Sequence, residues 1–384
     1  MRDDWRAGGF GLYVHWPFCA AKCPYCDFNS HVSSAVDMDA WQRALVSEVR
    51  RFGEELPGRI LNSVYFGGGT PSLMDPSVVE AVLHTATDVW TPANDMEVTL
   101  EANPSSVEAK RFEGYRVAGV NRVSMGFQAL NDGDLRALGR LHDVSEALQA
   151  LDVARSTFDR FSFDLIYARQ NQSLADWDAE LKRALDFDPD HLSLYQLTIE
   201  SGTAFGDRFA RGGLRGLPDE DLAADMYFHT QELCEAAGLP AYEVSNHAKP
   251  GQESRHNLIY WSGGDYVGIG PGAHGRVTTD RRYATTTPLS PENWLAMAEA
   301  GRGELDREAL SAIDQAGEYL MMGLRTVQGI DLQRYGALSG QEMPDGPLND
   351  LIAAGLLIQS GDQLATTAKG RAVLNAIVTE LLPD

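Results

Sequence analysis

Apolar and β-branched runs recur along the first two hundred residues, each followed by a stretch with helical spacing. Strands are expected near 10–16, 61–67, 96–101, 122–128, 160–166 and 191–198. Each is a nearly continuous apolar run or ends in one, as parallel strands covered by helices require. Between them, Trp41, Leu45, Val49 and Phe52 fall on one helical face. Asp143-Val144-Ser145-Glu146 has the form of a capping box, and Ser173 opens a helix whose face carries Trp177, Leu181 and Leu185. Six strand–helix alternations predict an α/β fold, a complete or partial (β/α) barrel of about six strands.

The pattern changes after residue 240. Tyr242–Asn246 reads as a last strand, and a Gly- and aromatic-rich stretch follows through Gly272. Helices are expected at 291–301 and 307–323. The remainder reads as helix, helix, a hairpin around Ser360-Gly361-Asp362 and a helix from Ala368, an order like that of a winged helix. The expected domains are therefore a barrel over 1–240, a barrel-closing segment over 241–310 and a small α+β winged-helix-like domain over 311–384.

In a (β/α) barrel the chemistry gathers at the C-terminal ends of the strands. Here those ends carry Cys19-Ala20-Ala21-Lys22-Cys23-Pro24-Tyr25-Cys26, then Gly67-Gly68-Gly69-Thr70-Pro71, Glu101-Ala102-Asn103-Pro104, Gly126-Phe127-Gln128 and Asp164-Leu165-Ile166-Tyr167. The CxxxCxxC spacing holds three of the chain's four cysteines. Clustered thiolates in a reducing compartment indicate metal ligation rather than disulfides, and thiolates are the usual ligands of iron–sulfur clusters. Three ligands on a four-iron cluster leave one iron open to chemistry. Two other readings compete. Cys23-Pro24-Tyr25-Cys26 alone is a thioredoxin-like CxxC, and a structural zinc site would need His15 or His31 as fourth ligand.

Composition sets limits. The 384 residues carry 55 acids against 32 bases, a formal charge of -23, which argues against nonspecific nucleic-acid binding. An anionic ligand would need a local cluster of arginines or backbone N–H donors. The opening Met1-Arg2-Asp3-Asp4-Trp5 has no apolar signal core, and no segment approaches ~20 uninterrupted apolar residues, so the expected location is the cytoplasm.

Tyr13-Val14-His15-Trp16-Pro17-Phe18-Cys19 with CxxxCxxC, followed by Gly67-Gly68-Gly69-Thr70-Pro71, resembles the radical S-adenosylmethionine (SAM) proteins. More narrowly it is similar to the group that contains oxygen-independent coproporphyrinogen III dehydrogenase and the HemW heme chaperones. The resemblance covers nearly the whole chain. It implies a [4Fe–4S] cluster on Cys19, Cys23 and Cys26, with SAM chelating the open iron. It further implies that Tyr13 and Tyr25 flank the cluster and adenosine. Gly68, Gly69 and Thr70 would let the backbone approach the methionyl amine. Glu101, Gln128, Arg140 and Asp164 would hold the rest of SAM. A buried salt-bridge network at a barrel rim is the competing account of Glu101, Arg140 and Asp164.

Three features separate the two relatives. The dehydrogenase pattern continues CxxxCxxCxC, and Phe28 stands at that further position. Only twelve residues precede Tyr13, against an extended arm. An HNxxYW motif of the chaperone group is present as His256-Asn257-Leu258-Ile259-Tyr260-Trp261. The resemblance thus implies a heme chaperone that passes heme to acceptor proteins, respiratory membrane enzymes among them, with His256, Asn257, Tyr260 and Trp261 contacting heme. His15, His247 and His274 are rival ligands. The main alternative is radical SAM oxidative decarboxylation of a porphyrinogen. A third is a cluster-bearing interaction module without SAM turnover. The sequence leaves SAM cleavage open, and the resemblance allows but does not require a homodimer. Ala168-Arg169-Gln170-Asn171-Gln172 departs from the family's Gly- and Pro-containing continuation after DLIY, which puts contacts from that loop in doubt.

Overall fold

A computed structural model describes residues 4–33 and 35–382; the outermost ends of the expected first and last domains lie outside the described residues. Six consecutive parallel strands pair in chain order: β1 (Phe10–Trp16), β2 (Ile60–Gly68), β3 (Thr91–Ala102), β4 (Arg122–Gln128), β5 (Arg160–Tyr167) and β6 (His191–Gln196). The α/β reading and its six-stranded partial barrel stand, with helices intervening where the spacing predicts them.

The strands are not simply apolar. They alternate, and both faces are buried. Leu12, Val14, Val64, Phe66, Leu100, Val123, Phe163 and Leu165 belong to the main hydrophobic core with Trp41, Leu45, Val49 and Phe52 of the helix Met38–Glu55. The opposite face carries Ser63, Glu97, Thr99, Arg122, Ser162, His191 and Ser193, all of them buried as well. Buried polar groups must be paired, and each of these residues has at least one hydrogen-bond partner, with only His191 Nδ1 left over. Arg122 donates to Ser162 Oγ at 2.9 Å, Ser162 to Ser124 Oγ at 2.9 Å, and Arg160 to Glu97 at 2.7 Å. The barrel therefore has an apolar shell under its helices and a hydrogen-bonded polar interior.

Three expectations after residue 240 are corrected. The last strand is only β7 (Asn246–Ala248), antiparallel to β6, because Glu243 accepts bonds from Ser245 N and Asn246 Nδ2 and turns the chain first. The Gly-rich stretch holds an unforeseen strand, β8 (Asp265–Ile269), parallel to β1 on its far side. A Cβ on Gly268 would lie 2.0 Å from His274 O, so the glycine that obscures the strand signal is what lets the next strand approach. The segment 307–323 is not one helix. Asp306–Ala309 pairs as an edge strand and the helix is Ala312–Gly323, opened by a Ser311–Asp314 capping box. Helix-compatible residues are overridden there by sheet pairing and by Arg307, which binds Glu55 and Glu304. With β9 (His274–Thr278), β10 (Arg282–Thr286) and β11 (Asp306–Ala309), the sheet reaches eleven strands.

A second hydrophobic cluster gathers Leu320, Leu324, Ile330, Tyr335, Leu364 and Ile377. Its helices Leu332–Ser339 and Asp345–Ala353, the hairpin Leu357–Ser360/Gln363–Thr366 and the helix Leu374–Leu381 follow the winged-helix order. Among the described residues no helix is long and apolar enough to cross a membrane.

Candidate functional site

The cysteine loop leaves the C-terminal end of β1 and is closed like a clasp. Phe18–Cys19 pairs in parallel with His31–Val32, and His31 N donates to Pro17 O at 2.7 Å. The glycines after β2 seat that loop: Gly69 N donates to Trp16 O at 2.7 Å and Thr70 N to Phe18 O at 2.9 Å. A Cβ on Gly69 would lie 2.9 Å from Phe18 O, and one on Gly68 2.7 Å from His15 Cε1. The close approach that bars side chains here is to the protein's own backbone and His15.

The three thiols have separate partners. Thr70 Oγ1 donates to Cys19 Sγ at 3.5 Å, Arg140 Nη1 to Cys23 Sγ at 3.3 Å, and Ser30 Oγ lies 4.0 Å from Cys26 Sγ. Burial pushes the thiols of Cys19 and Cys26 above their ordinary range. Among the described residues no three His, Cys, Asp or Glu side chains converge as a single metal ion would require. Both ring nitrogens of His15 are taken, by Tyr13 OH at 3.0 Å and Asn29 O at 2.9 Å. His15 is therefore already engaged as a fourth-ligand candidate, and three thiols facing one void are the donor type that iron–sulfur clusters take.

All three cysteines line one cavity of about 430 Å³, together with Tyr25, Gly68, Gly69, Thr70, Glu101, Gln128, Arg140 and Asp164. Five strand ends deliver these side chains to one place. Tyr13 is the exception. It does not line the cavity, and its ring lies 6.2 Å from that of Tyr65. Glu101 accepts from Tyr65 OH at 2.8 Å and Gly68 N at 3.2 Å, and burial raises its carboxyl. Burial, then the charge of Glu101, pushes Asp164 up to about 7. Two half-buried carboxyls whose proton affinity burial raises, despite the charges of Arg122 and Arg140 nearby, favour a ligand that brings positive charge, and the sulfonium and ammonium of SAM do so.

Sequence reasoning missed part of the wall. Arg140 Nη2 donates to Asn103 Oδ1 at 2.6 Å and to Gly126 O at 3.0 Å, and Asn103 in turn bonds Thr70 and Glu108. Asn103 was visible as a polar residue at a strand end; Glu108 is set there only by the fold. In the departing loop, Ala168 and Asn171 adopt φ of 56° and 60°, where glycine is the usual residue. The loop is held by Arg169, which donates to Asp134 and Glu180 at 2.6 Å each. None of residues 168–172 lines the cavity.

The HNxxYW segment forms the helix Arg255–Trp261, capped by Ser254. The structure divides its residues. His256 lies in the polar barrel interior, stacked on Tyr65 at 5.0 Å. Its Nδ1 meets Ser63 Oγ at 2.7 Å and its Nε2 meets Tyr260 OH at 2.6 Å. Burial lowers its pKa to about 3. Asn257 lines neither this cavity nor the next. Tyr260 and Trp261 face a second cavity of about 390 Å³, between the sheet and the C-terminal helices. Of the rivals, His15 is bonded as above, His247 is buried with its pKa lowered to about 4, and His274 is exposed.

Known proteins share this architecture. A Radical SAM superfamily model matches residues 13–184, and a HemN C-terminal domain model matches 310–373. The mouse protein named radical S-adenosyl methionine domain-containing protein 1, mitochondrial, is 40% identical over 97% of this chain and 87% of its own. The Escherichia coli protein named heme chaperone HemW is 37% identical over 97% of this chain and 98% of its own. A solved structure of the Escherichia coli coproporphyrinogen III oxidase HemN superposes with a TM-score of 0.81 over 98% of this chain and 92% of that one. At 22% identity it speaks for the fold alone. The family implies SAM and a [4Fe–4S] cluster, which the thiol-lined cavity fits. The chain belongs to the radical SAM superfamily, and within it to the family of the relatives named heme chaperone HemW.

Proposed function

We propose that this protein is a heme chaperone: it binds heme, carries a [4Fe–4S] cluster and SAM, and passes its cargo to acceptor proteins, respiratory membrane enzymes among them. The reading places it in the cytoplasm and allows a homodimer. Cys19, Cys23 and Cys26 would hold the cluster. Glu101 and Asp164 would set their charge against the cationic groups of SAM, and Gln128 offers an amide to its polar edge. Arg140, tied to Cys23 Sγ and Asn103, positions the cluster wall. When bound, the two groups together supply one-electron cleavage of a carbon–sulfur bond.

The observation that carries the chaperone reading over porphyrinogen oxidation is Phe28. It lines the cluster cavity, 62% exposed, where the dehydrogenase pattern has a further cysteine. The test is an anaerobic heme titration of cluster-reconstituted protein followed by optical spectra, with coproporphyrinogen III turnover assayed on the same sample. Stoichiometric heme binding without turnover is expected. Turnover without heme retention would make this a heme-biosynthesis enzyme.

A further inference from the structure

The second cavity has two walls from different parts of the chain. Tyr260, Trp261 and Tyr266 come from the sheet side; Tyr319 and Met322 come from the helix Ala312–Gly323. These are flat or pliable apolar faces, the surfaces that grip a planar ring. The polar part is cationic. Arg276, Arg282, Arg325 and Arg334 line the cavity, against Glu318 as the one carboxylate among its described lining residues. In a chain of charge -23, four guanidiniums around one cavity run against the global field. They are pre-positioned by partners outside the apolar faces. Arg282 donates to the carbonyls of Gly263 and Gly264 at 2.7 and 2.8 Å. Arg334 is tied to Asp4, and Arg325 to the buried Glu243 at 2.5 Å. Arg276 is the adaptable one, because its partner Glu318 is partly exposed and free to rehydrate.

We infer that this junction cavity is the docking site for the tetrapyrrole, with the macrocycle between the sheet-side aromatics and Tyr319 and Met322. Its carboxylates exchange for Glu318 on Arg276. The inference rests on the heme-chaperone reading and moves the cargo away from His256, whose two nitrogens are already bonded. No histidine is among the described residues that line the cavity, so the grip on the ring would come from its aromatic and thioether faces and its arginines rather than from an imidazole on the iron. A volume of about 390 Å³ falls within the ~300–1,000 Å³ of ligand sites. Met321 at its edge is exposed, which leaves one edge of the ring reachable by an acceptor. The C-terminal domain thereby acquires a role as one wall of the cargo site.

The test uses the full chain with its cluster, titrated with heme, with metal-free protoporphyrin IX and with its dimethyl ester, followed by absorbance and porphyrin fluorescence anisotropy. The wild type is expected to bind the diacid at least tenfold more tightly than the ester. Arg276→Gln should narrow that preference below threefold, and Met322→Trp, which fills the cavity, should weaken both porphyrins at least tenfold. Equal binding of diacid and ester by the wild type, or unchanged binding in both variants, would overturn the placement. Heme binding without any binding of the metal-free diacid would also overturn it, because affinity would then come from an iron ligand, while leaving the cargo reading intact. Failure of the wild type to bind heme or porphyrin would overturn both.

Discussion

Arg140 Nη1 donates to Cys23 Sγ across 3.3 Å, although 117 residues separate them in the chain. The same guanidinium reaches Asn103 and Gly126 O, so it ties the cysteine loop to the ends of β3 and β4. A donor on a cluster thiolate stabilises the more negative, reduced state. Such a bond is worth about 1.5–3 kcal/mol, and one electron carries about 59 mV per 1.4 kcal/mol. Arg140→Met should therefore lower the cluster midpoint by at most about 60–130 mV, measured by a redox titration monitored by electron paramagnetic resonance. An unchanged midpoint with full iron content would show that the contact does not survive cluster binding.

Gly69 offers no room. Its added Cβ would meet Phe18 O and the Pro17 carbonyl at 2.9 Å, and both atoms belong to the strand-paired base of the cysteine loop. Gly69→Ala should cost about 1–3 kcal/mol in chemical denaturation and lower the iron retained per chain after reconstitution. Full iron content with wild-type stability would mean that the loop relaxes freely.

Asp164 sets a pH dependence. Its folded pKa is about 7, raised from the usual carboxylate range by burial and then by Glu101. Between the two values the folded chain holds a proton that the unfolded chain has released. The stability this group contributes is complete below the unfolded pKa and is lost as pH rises through about 7. Asp164→Asn should therefore gain on the wild type without SAM as pH rises. The relative gain from about pH 5 to pH 8 is about 2–3 kcal/mol at about 1.4 kcal/mol per unit. A pH-independent difference in thermal unfolding would refute this.

His256 behaves in the opposite sense. Its folded pKa is depressed to about 3, so the unfolded chain takes up a proton first as pH falls through the ordinary histidine range. The stability it contributes is present above that range and is lost on acidification. His256→Ala strips Ser63 and Tyr260 of a buried partner and leaves a void, and should cost about 2–4 kcal/mol at neutral pH. The loss should shrink toward acid. Urea titrations at two pH values measure both.

Arg169 holds the loop that departs from the family pattern. Its side chain pairs with the buried Glu180 and with Asp134. Arg169→Ala leaves Glu180 as an uncompensated buried charge and should cost about 3–5 kcal/mol. Proteolysis at 168–172 is the local readout.

The hydrophobic spacing alone placed β1 through β6 and the helices capped by Asp143 and Ser173, because period and caps are local properties of the chain. The cysteine spacing and the polar residues at strand ends named the wall of the cluster cavity, since a parallel barrel brings every strand end to one rim. Long-range pairing decided what local pattern could not carry. Gly268 hid β8 because its glycine serves a neighbouring backbone, and Asp306–Ala309 became an edge strand through partners distant in sequence. The HNxxYW motif shows the limit most directly. His256 and Tyr260 stand one turn apart on the same helix face and bond each other, while Trp261 follows about 100° further round the axis. The ring of His256 reaches Ser63 in the barrel interior, while Tyr260 and Trp261 line a cavity whose far wall comes from residues 312–325. The sequence supplied those side chains together, but only the packing of the C-terminal helices against the sheet determined which of them share a site.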